Sequence, residues 1–374
     1  MGQTATISFS QFERAADSEC APRIAAARAQ LGERCVLLAH HYQRADVYCH
    51  SDLQGDSLEL ARLAATTDAE TVVFCGVHFM AEVADLLTGS DQRVILPDLA
   101  AGCTMADMAS LAKINRCWRE LADYLDPDSE VMPVTYINSA ADLKSFVGSR
   151  GGIVCTSSNA ERVLDWAWQR RNKVLFFPDQ HLGRWSARKM GVAAEHIQVW
   201  DFNQPHGGLS EEQIVSAKIL LWKGHCSVHQ MFRPEHISAW RQKHPDGIVI
   251  AHPECAWEVC AMADDVGSTA HIQRTVRAAK PGSRFLVGTE LNLVQRLAVG
   301  QEPRQVHVSF MSPLVCMCST MARIDPQHLA WCLENLADGK IVNQITVPEQ
   351  LRQPATESIT RMLELGAASP GSKN

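Results

Sequence analysis

Three cysteine-bearing segments of this chain have the types and spacing to do metal chemistry. Cys103 lies in LPDLAAGCTMADM and Cys226 in LLWKGHCSVHQMF, while SPLVCMCSTM offers Cys316 and Cys318, two residues apart. Each follows a block in which short apolar runs end in polar, chemically capable residues. Three thiolates from three distant segments can hold one metal centre and leave a coordination position open to substrate, which separates a catalytic site from a closed structural one. The close CxxC pairs of a structural zinc site are absent, so the spacing suits an iron–sulfur cluster with one open iron. Cys103 follows a glycine and opens a helical stretch, where backbone N–H groups and the helix dipole favour a thiolate. Cys226 sits in a Lys-Gly-His-Cys turn that is also electropositive. Spacing alone does not choose between Cys316 and Cys318.

The chain that must position these groups has 374 residues, 46% hydrophobic and 21% charged, with a net charge of -7. That describes a soluble globular protein and gives no reason to expect nucleic acid or an anionic membrane. No apolar run approaches the ~20 residues of a membrane span. The first residues lack the layout of a signal peptide, and Gly2 lacks a lipidation context. The 13 cysteines are therefore expected to be reduced thiols in the cytoplasm, with Cys35, Cys75, Cys155 and Cys332 as small core residues.

Short Val/Ile/Leu runs alternate with amphipathic stretches, the pattern of parallel sheets covered by helices. The strands read in groups of three: 35–43, 71–79 and 93–98; then 131–139, 152–159 and 173–181; then 247–254, 264–269 and 284–290. Asp56 or Ser57 is the expected N-cap of the helix in DSLELARLAATT. The expected fold class is α/β, as three related three-layer α/β/α domains with parallel sheets. Their boundaries are 1–115, 116–228 and 229–324. Two C-terminal helices, one in DPQHLAWCLENLADG and one near 347–366, are expected to complete the first domain (325–374). The tail GAASPGSKN reads as disordered.

Ligands of open parallel sheets bind beyond the carboxyl ends of strands. Those ends carry His40 and Tyr42, His78, Asp98, Tyr136 and Asn138, Ser157, Asp179 and His181, His252 and Glu254, Ser268 and Thr269, and Glu290. Each has a plain structural reading. His40-His41 with His50 suggests zinc or merely a surface pair, Pro253 can simply end a strand, and Ser157-Ser158-Asn159 and Ser268-Thr269 make good N-caps. Recurring at successive strand ends, they point instead to one cavity.

The ordered segments LAHHYQ, GDSLELAR, VVFCGVHFMAE, LPDLAAGCTMADM, VTYINS, VCTSSNA, FPDQHLGR, GHCSVH, AHPEC, GSTAHI, VGTELNLVQRL and CSTMARI resemble the quinolinate synthase family from about residue 33 to about residue 340. The resemblance implies a pseudo-threefold α/β/α fold around a central site, one 4Fe-4S cluster per chain, and Cys103, Cys226 and Cys318 as its ligands. Cys318 is preferred because Cys318-Ser319-Thr320-Met321 fits the family's pattern. The implied reaction condenses iminoaspartate with dihydroxyacetone phosphate to quinolinate, phosphate and water, in NAD biosynthesis, with an aspartate-oxidising enzyme as a functional partner. Substrate-handling positions carry over to His40, Tyr42, Ser57, Tyr136, Asn138, Ser157, His252, Glu254, Ser268 and Thr269. Physically, Glu254 is the expected general base, with His252 and Tyr42 donating or relaying protons. The hydroxyl and amide groups suit carboxylate and phosphate oxygens. FVGSRGG looks longer and richer in glycine than the family's equivalent and is expected to lengthen a surface loop.

Other readings keep parts of this chemistry: an iron–sulfur dehydratase of another small acid, a mononuclear zinc aldolase or hydrolase using the histidines, or a non-catalytic iron–sulfur sensor. Metal analysis separates the zinc case. Dependence on Glu254 and Tyr42 separates the sensor.

Overall fold

The computed structural model describes residues 6–315 and 317–367. Residues 1–5, Cys316 and residues 368–374 of the tail lie outside the described residues. The chain divides into two compact units. The first comprises Met1–Cys103, Leu291–Arg296 and Met317–Val347, and the second Thr104–Glu290, Leu297–Cys316 and Pro348–Asn374.

The first unit holds β1 (Cys35–His40), β2 (Leu53–Gly55), β3 (Thr71–Cys75) and β4 (Arg93–Ile95). The second holds β5 (Val131–Tyr136), β6 (Ile153–Cys155), β7 (Lys173–Phe177), β8 (Ile197–Trp200) and β9 (Ile219–Trp222), then β10 (Ile248–Ala251), β11 (Asp265–Val266), β12 (Arg284–Gly288) and β13 (His307–Phe310). A last strand, β14 (Gln344–Ile345), belongs to the first unit. The sheets run β14-β4-β3-β1-β2, β6-β5-β7-β9-β8 and β11-β10-β12-β13. Every pairing is parallel except β14 on β4. Strands such as TVVFC, KVLFF and ILLW are buried along their whole length, as expected where helices cover both faces of a parallel sheet. The fold class is thus α/β with three mostly parallel sheets flanked by helices.

The strands do not group in threes. β2, β8, β9, β13 and β14 widen the sheets, and the expected strands stop earlier than their apolar runs suggest. β1 ends at His40 and β3 at Cys75, and His78 begins the helix His78–Leu87 rather than ending a strand. Asp56 is the N-cap of the helix Ser57–Ala64, its carboxylate accepting from Leu58 and Glu59 N–H groups.

Each unit has its own apolar centre. In the second, Trp118, Phe146, Phe177, Trp200 and Trp222 form one cluster, and Phe232, Val249, Val259 and Leu286 another. Each such side chain contributes about 1.5–3 kcal/mol by leaving water. The two C-terminal helices part company. Pro326–Ala337 packs along Asp17–Leu31 in the first unit, whereas Glu349–Ala367 packs along Ala141–Ser149 and β6 in the second, contrary to expectation. The reason is Gly148. A Cβ there would lie 1.8 Å from the Pro354 carbonyl oxygen, so only glycine lets the two backbones meet. FVGSRGG is therefore not a lengthened surface loop. Phe146, Val147 and Gly148 are buried in a helix, and only the Arg150–Gly151 turn leaves it.

Candidate active site

In the second unit, β5 and β10 deliver side chains to one buried cluster. β5 ends at Tyr136, and its hydroxyl donates to Glu254 Oε1 at 2.7 Å. The loop after Tyr136 is fixed from below. The fully buried Lys144 ammonium donates to the carbonyls of Ile137 (2.9 Å) and Ser139. Asn138, in that loop, leaves its side-chain oxygen buried with no protein partner, a donor-seeking atom of the kind a ligand satisfies.

Glu254 follows β10 in HPE, and its backbone N–H is 3.3 Å from His252 Nδ1. Its Oε2 lies 3.0 Å from His229 Nδ1, a close contact off the hydrogen-bond line. The His229 and His252 rings stack at 4.8 Å, and His229 Nε2 reaches Thr289 Oγ1 at 3.4 Å. Burial alone would push the Glu254 carboxyl up, but the His229 and His252 imidazoles and the Tyr136 hydroxyl outweigh it and hold it at about 2. Burial pushes His252 down to about 3. His252 is then neutral at physiological pH, and the Glu254 charge rests on His229 and Tyr136. Asp179, fully buried, goes the other way. Burial first, and the Glu254 charge second, hold its carboxyl well above the usual range.

Cys226 lies in the loop after β9. Gly224 makes the turn possible: it bridges to Asp179, and a Cβ on it would sit 2.2 Å from the Pro178 carbonyl oxygen. Donor atoms of Cys226, His229 and Glu254 all lie within 4.8 Å of one another, a possible metal site. Beside them Ser157, Pro253 and Ser268 share a cavity of about 370 Å³ with Arg162, Lys189 and Arg274. Ser268 caps the helix Thr269–Ala278, and Thr269 is its buried first residue. Ser157 stands in the turn before the helix Ala160–Trp168. Helix starts and basic side chains together favour a phosphate or carboxylate.

In the first unit, His40 ends β1, and its Nδ1 accepts from Tyr42 N–H at 3.1 Å. The two rings meet edge to face at 4.7 Å. The Tyr42 segment is clamped from behind, because Asn292 donates to the Tyr42 carbonyl (3.3 Å) and Arg296 to those of Gln43 (2.6 Å) and His41. Gln43 is fully buried with both amide atoms unpartnered. Ser57 is the first residue of its helix. The loops carrying Cys103 and Cys318 are tied together, since Asp98 accepts from Arg323 Nε at 2.7 Å. His41 Nδ1 lies 3.0 Å from the Tyr48 hydroxyl.

Of the expected residues, the structure joins Tyr136, His252 and Glu254 with Cys226, brings Ser157 and Ser268 to one cavity, and sets His40 beside Tyr42. Sequence reasoning missed His229, Thr289 and Gln43. His229 is three residues past Cys226 in GHCSVH and Gln43 ends HHYQ, so both lay inside quoted motifs. Exposure sorts the twelve described cysteines. Cys103, Cys226 and Cys318 are partly exposed and Cys49 is exposed, while eight are buried. Burial pushes Cys35 and Cys75 up to about 12 and holds Cys117, Cys155, Cys255 and Cys332 well above the usual thiol range. Buried thiols of that kind resist becoming thiolate ligands.

The family described as Quinolinate synthetase A protein matches residues 22–364. A protein named quinolinate synthase from Herpetosiphon aurantiacus is 54% identical over 345 residues, 92% of this chain and 92% of its own length. Those of Acidobacterium capsulatum (51% identical, 92% of each chain) and Corynebacterium glutamicum (51% identical, 96% of this chain and 91% of that one) are similar to the same extent. With a matching family over most of its length and relatives at this identity, the chain belongs to the quinolinate synthase family.

Proposed function

We infer that this chain is a quinolinate synthase, an enzyme that condenses iminoaspartate with dihydroxyacetone phosphate to give quinolinate, phosphate and water in NAD biosynthesis. The observation that carries the reading is the buried Tyr136–Glu254–His229 cluster beside Cys226, in a chain whose family bears that name. No helix among the described residues is long and apolar enough to cross a membrane. Iminoaspartate hydrolyses readily, so we propose that an aspartate-oxidising enzyme supplies it. We also propose that the three sheets are the cores of three α/β/α domains with the boundaries given above, the last helix excepted.

The proposed cofactor is a 4Fe-4S cluster held by Cys103, Cys226 and Cys318. Its support is donor chemistry. These thiols are partly exposed where most others are buried, and Asp98–Arg323 ties two of the three loops together. When bound, the cluster supplies an iron with an open position that polarises a substrate oxygen. Ser157 and Ser268 are proposed to hold the triose phosphate in the cavity of about 370 Å³, with Thr269 joining them from the first turn of the helix that Ser268 caps. Tyr136, Asn138, His40, Tyr42 and Ser57 are proposed to orient carboxylates and hydroxyls. Glu254, ionised and committed to Tyr136 and His229, is a weak base as it stands. It becomes a stronger one when substrate draws either partner away, and then takes the proton that the condensation releases. His252, neutral and buried, is a proton relay beside it.

A second reading rests on one observation: the close Cys226, His229 and Glu254 donors also suit a mononuclear zinc. Anaerobic purification with iron and sulfide counting, followed by a quinolinate assay, separates the two. About four irons per chain with product formed supports the first reading. Zinc without sulfide overturns it.

A further inference from the structure

A second polar cavity, of about 460 Å³, runs along the helix Gln180–Lys189 and is lined by Gln180, His181, Arg184, Arg188, Trp257 and Glu258. Gln180, Arg184 and Arg188 recur every four residues, so they share one helix face. Leu182, Trp185, Ser186 and Lys189 of the same helix line the cavity of about 370 Å³ instead. One helix therefore stands between two cavities.

The charges here are not balanced internally. Arg184 and Arg188 are like charges four apart, an arrangement that opposes the helix. Burial pushes the Arg184 guanidinium down, and Glu258 opposes this only through space, forming neither a hydrogen bond nor an ion pair with it. Arg188 donates to the Val192 carbonyl at 3.1 Å and lies 5.6 Å from the Trp257 ring centre. His181 Nε2 is 2.8 Å from Gln230 Nε2, while its Nδ1 is buried with no partner.

Two guanidinium groups lining one cavity call for an oxyanion. We propose that this cavity binds a small molecule through a carboxylate or phosphate group. The oxyanion sits between Arg184 and Arg188, which suit it by their forked geometry, with the His181 ring beside it. A ring carried by the ligand lies against Trp257. The proposal stands apart from the reaction inferred above.

The test uses the full-length, metal-loaded chain carrying Ser157→Ala and Ser268→Ala, which weakens binding in the other cavity. Inorganic phosphate and quinolinate are titrated separately, by calorimetry and by the rise in melting temperature. The expected result is saturable binding of at least one probe, weakened about tenfold or more by Arg184→Met. Arg184→Lys, which keeps the charge and much of the packing, is expected to lose affinity as well. It serves as the reporter if the methionine variant does not fold. Tighter binding of quinolinate than of phosphate, lost on Trp257→Ala, assigns a ring-bearing acid. Equal binding assigns the bare oxyanion. No saturable binding of either probe, or unchanged binding in both Arg184 variants, overturns the proposal.

Discussion

The two polar clusters of the second unit are opposites. Around Glu254, a carboxylate meets a tyrosine hydroxyl at 2.7 Å and an imidazole at 3.0 Å, so its charge is answered inside the protein. Around Arg184, two guanidinium groups face a cavity with one acidic side chain, and the Nδ1 of the neighbouring His181 is buried without a partner. The contrast separates groups held in advance for chemistry from groups left open for a ligand. Low local dielectric makes both consequential: a paired charge is rigid, and an unpaired buried donor is costly.

The sharpest way to break the paired cluster is Glu254→Gln. The amide keeps the volume and a hydrogen bond to Tyr136 but loses the negative charge. Turnover should fall about 10²–10⁴-fold, the range of a lost general base, with the circular-dichroism spectrum unchanged. Full turnover in this variant would remove Glu254 from the proposed mechanism.

Next in size is the support of the Tyr136 loop. Lys144→Met deprives the Ile137 and Ser139 carbonyls of their buried donor. Each orphaned acceptor costs about 1–3 kcal/mol, so a loss of roughly 3 kcal/mol is expected in urea unfolding. KM should rise too, because Tyr136 and Asn138 ride on that loop. A stable variant with unchanged KM would mean that the loop holds itself.

The open cluster has its own signature in acid. Burial pushes His181 down to about 4 from its ordinary value of 6.5, the basic side chains around it adding to the effect. The unfolded chain therefore takes up a proton at this residue first. The associated stability is complete above pH ~6.5 and is lost as the pH falls toward 4. At pH 5 the loss is about 2 kcal/mol. His181→Gln should flatten that part of a melting-temperature profile between pH 7 and 5. A profile unchanged by the substitution would place the acid sensitivity elsewhere.

The same contrast explains what could be read from sequence. Cys226, His252, Glu254 and Tyr136 were legible because each ends or follows an apolar run, and strand ends are where parallel sheets place their chemistry. β8 and β9 were passed over although IQVW and ILLW are apolar. Both are short, and each sits close to a helical stretch that dominates the local pattern. The docking of the last helix was hidden for another reason. Gly148 looked like part of a glycine-rich loop, and only its 1.8 Å approach to Pro354 shows that glycine is there for helix packing. His229 was hidden by Cys226, whose chemistry claimed the motif. Nothing local in the sequence says that Arg184 has no partner, because that depends on Trp257 and Glu258 from another element.

The smallest effect expected on stability comes from the side chain that belongs to neither class. Asn138 sits on the loop beside the paired cluster, yet its carbonyl oxygen is buried and unanswered like the groups around Arg184. Removing an atom that makes no protein hydrogen bond forfeits none, so Asn138→Ala should change unfolding free energy by less than about 0.5 kcal/mol. If that oxygen accepts from a substrate donor, the truncation removes one neutral hydrogen bond to the ligand, about 1 kcal/mol, and KM rises about fivefold with kcat nearly unchanged. Stability and affinity are then decoupled at one residue, which a structural asparagine would not allow. A variant that loses several kcal/mol of stability while keeping its KM would put Asn138 with the scaffold, and the orphaned oxygen would no longer mark where substrate binds.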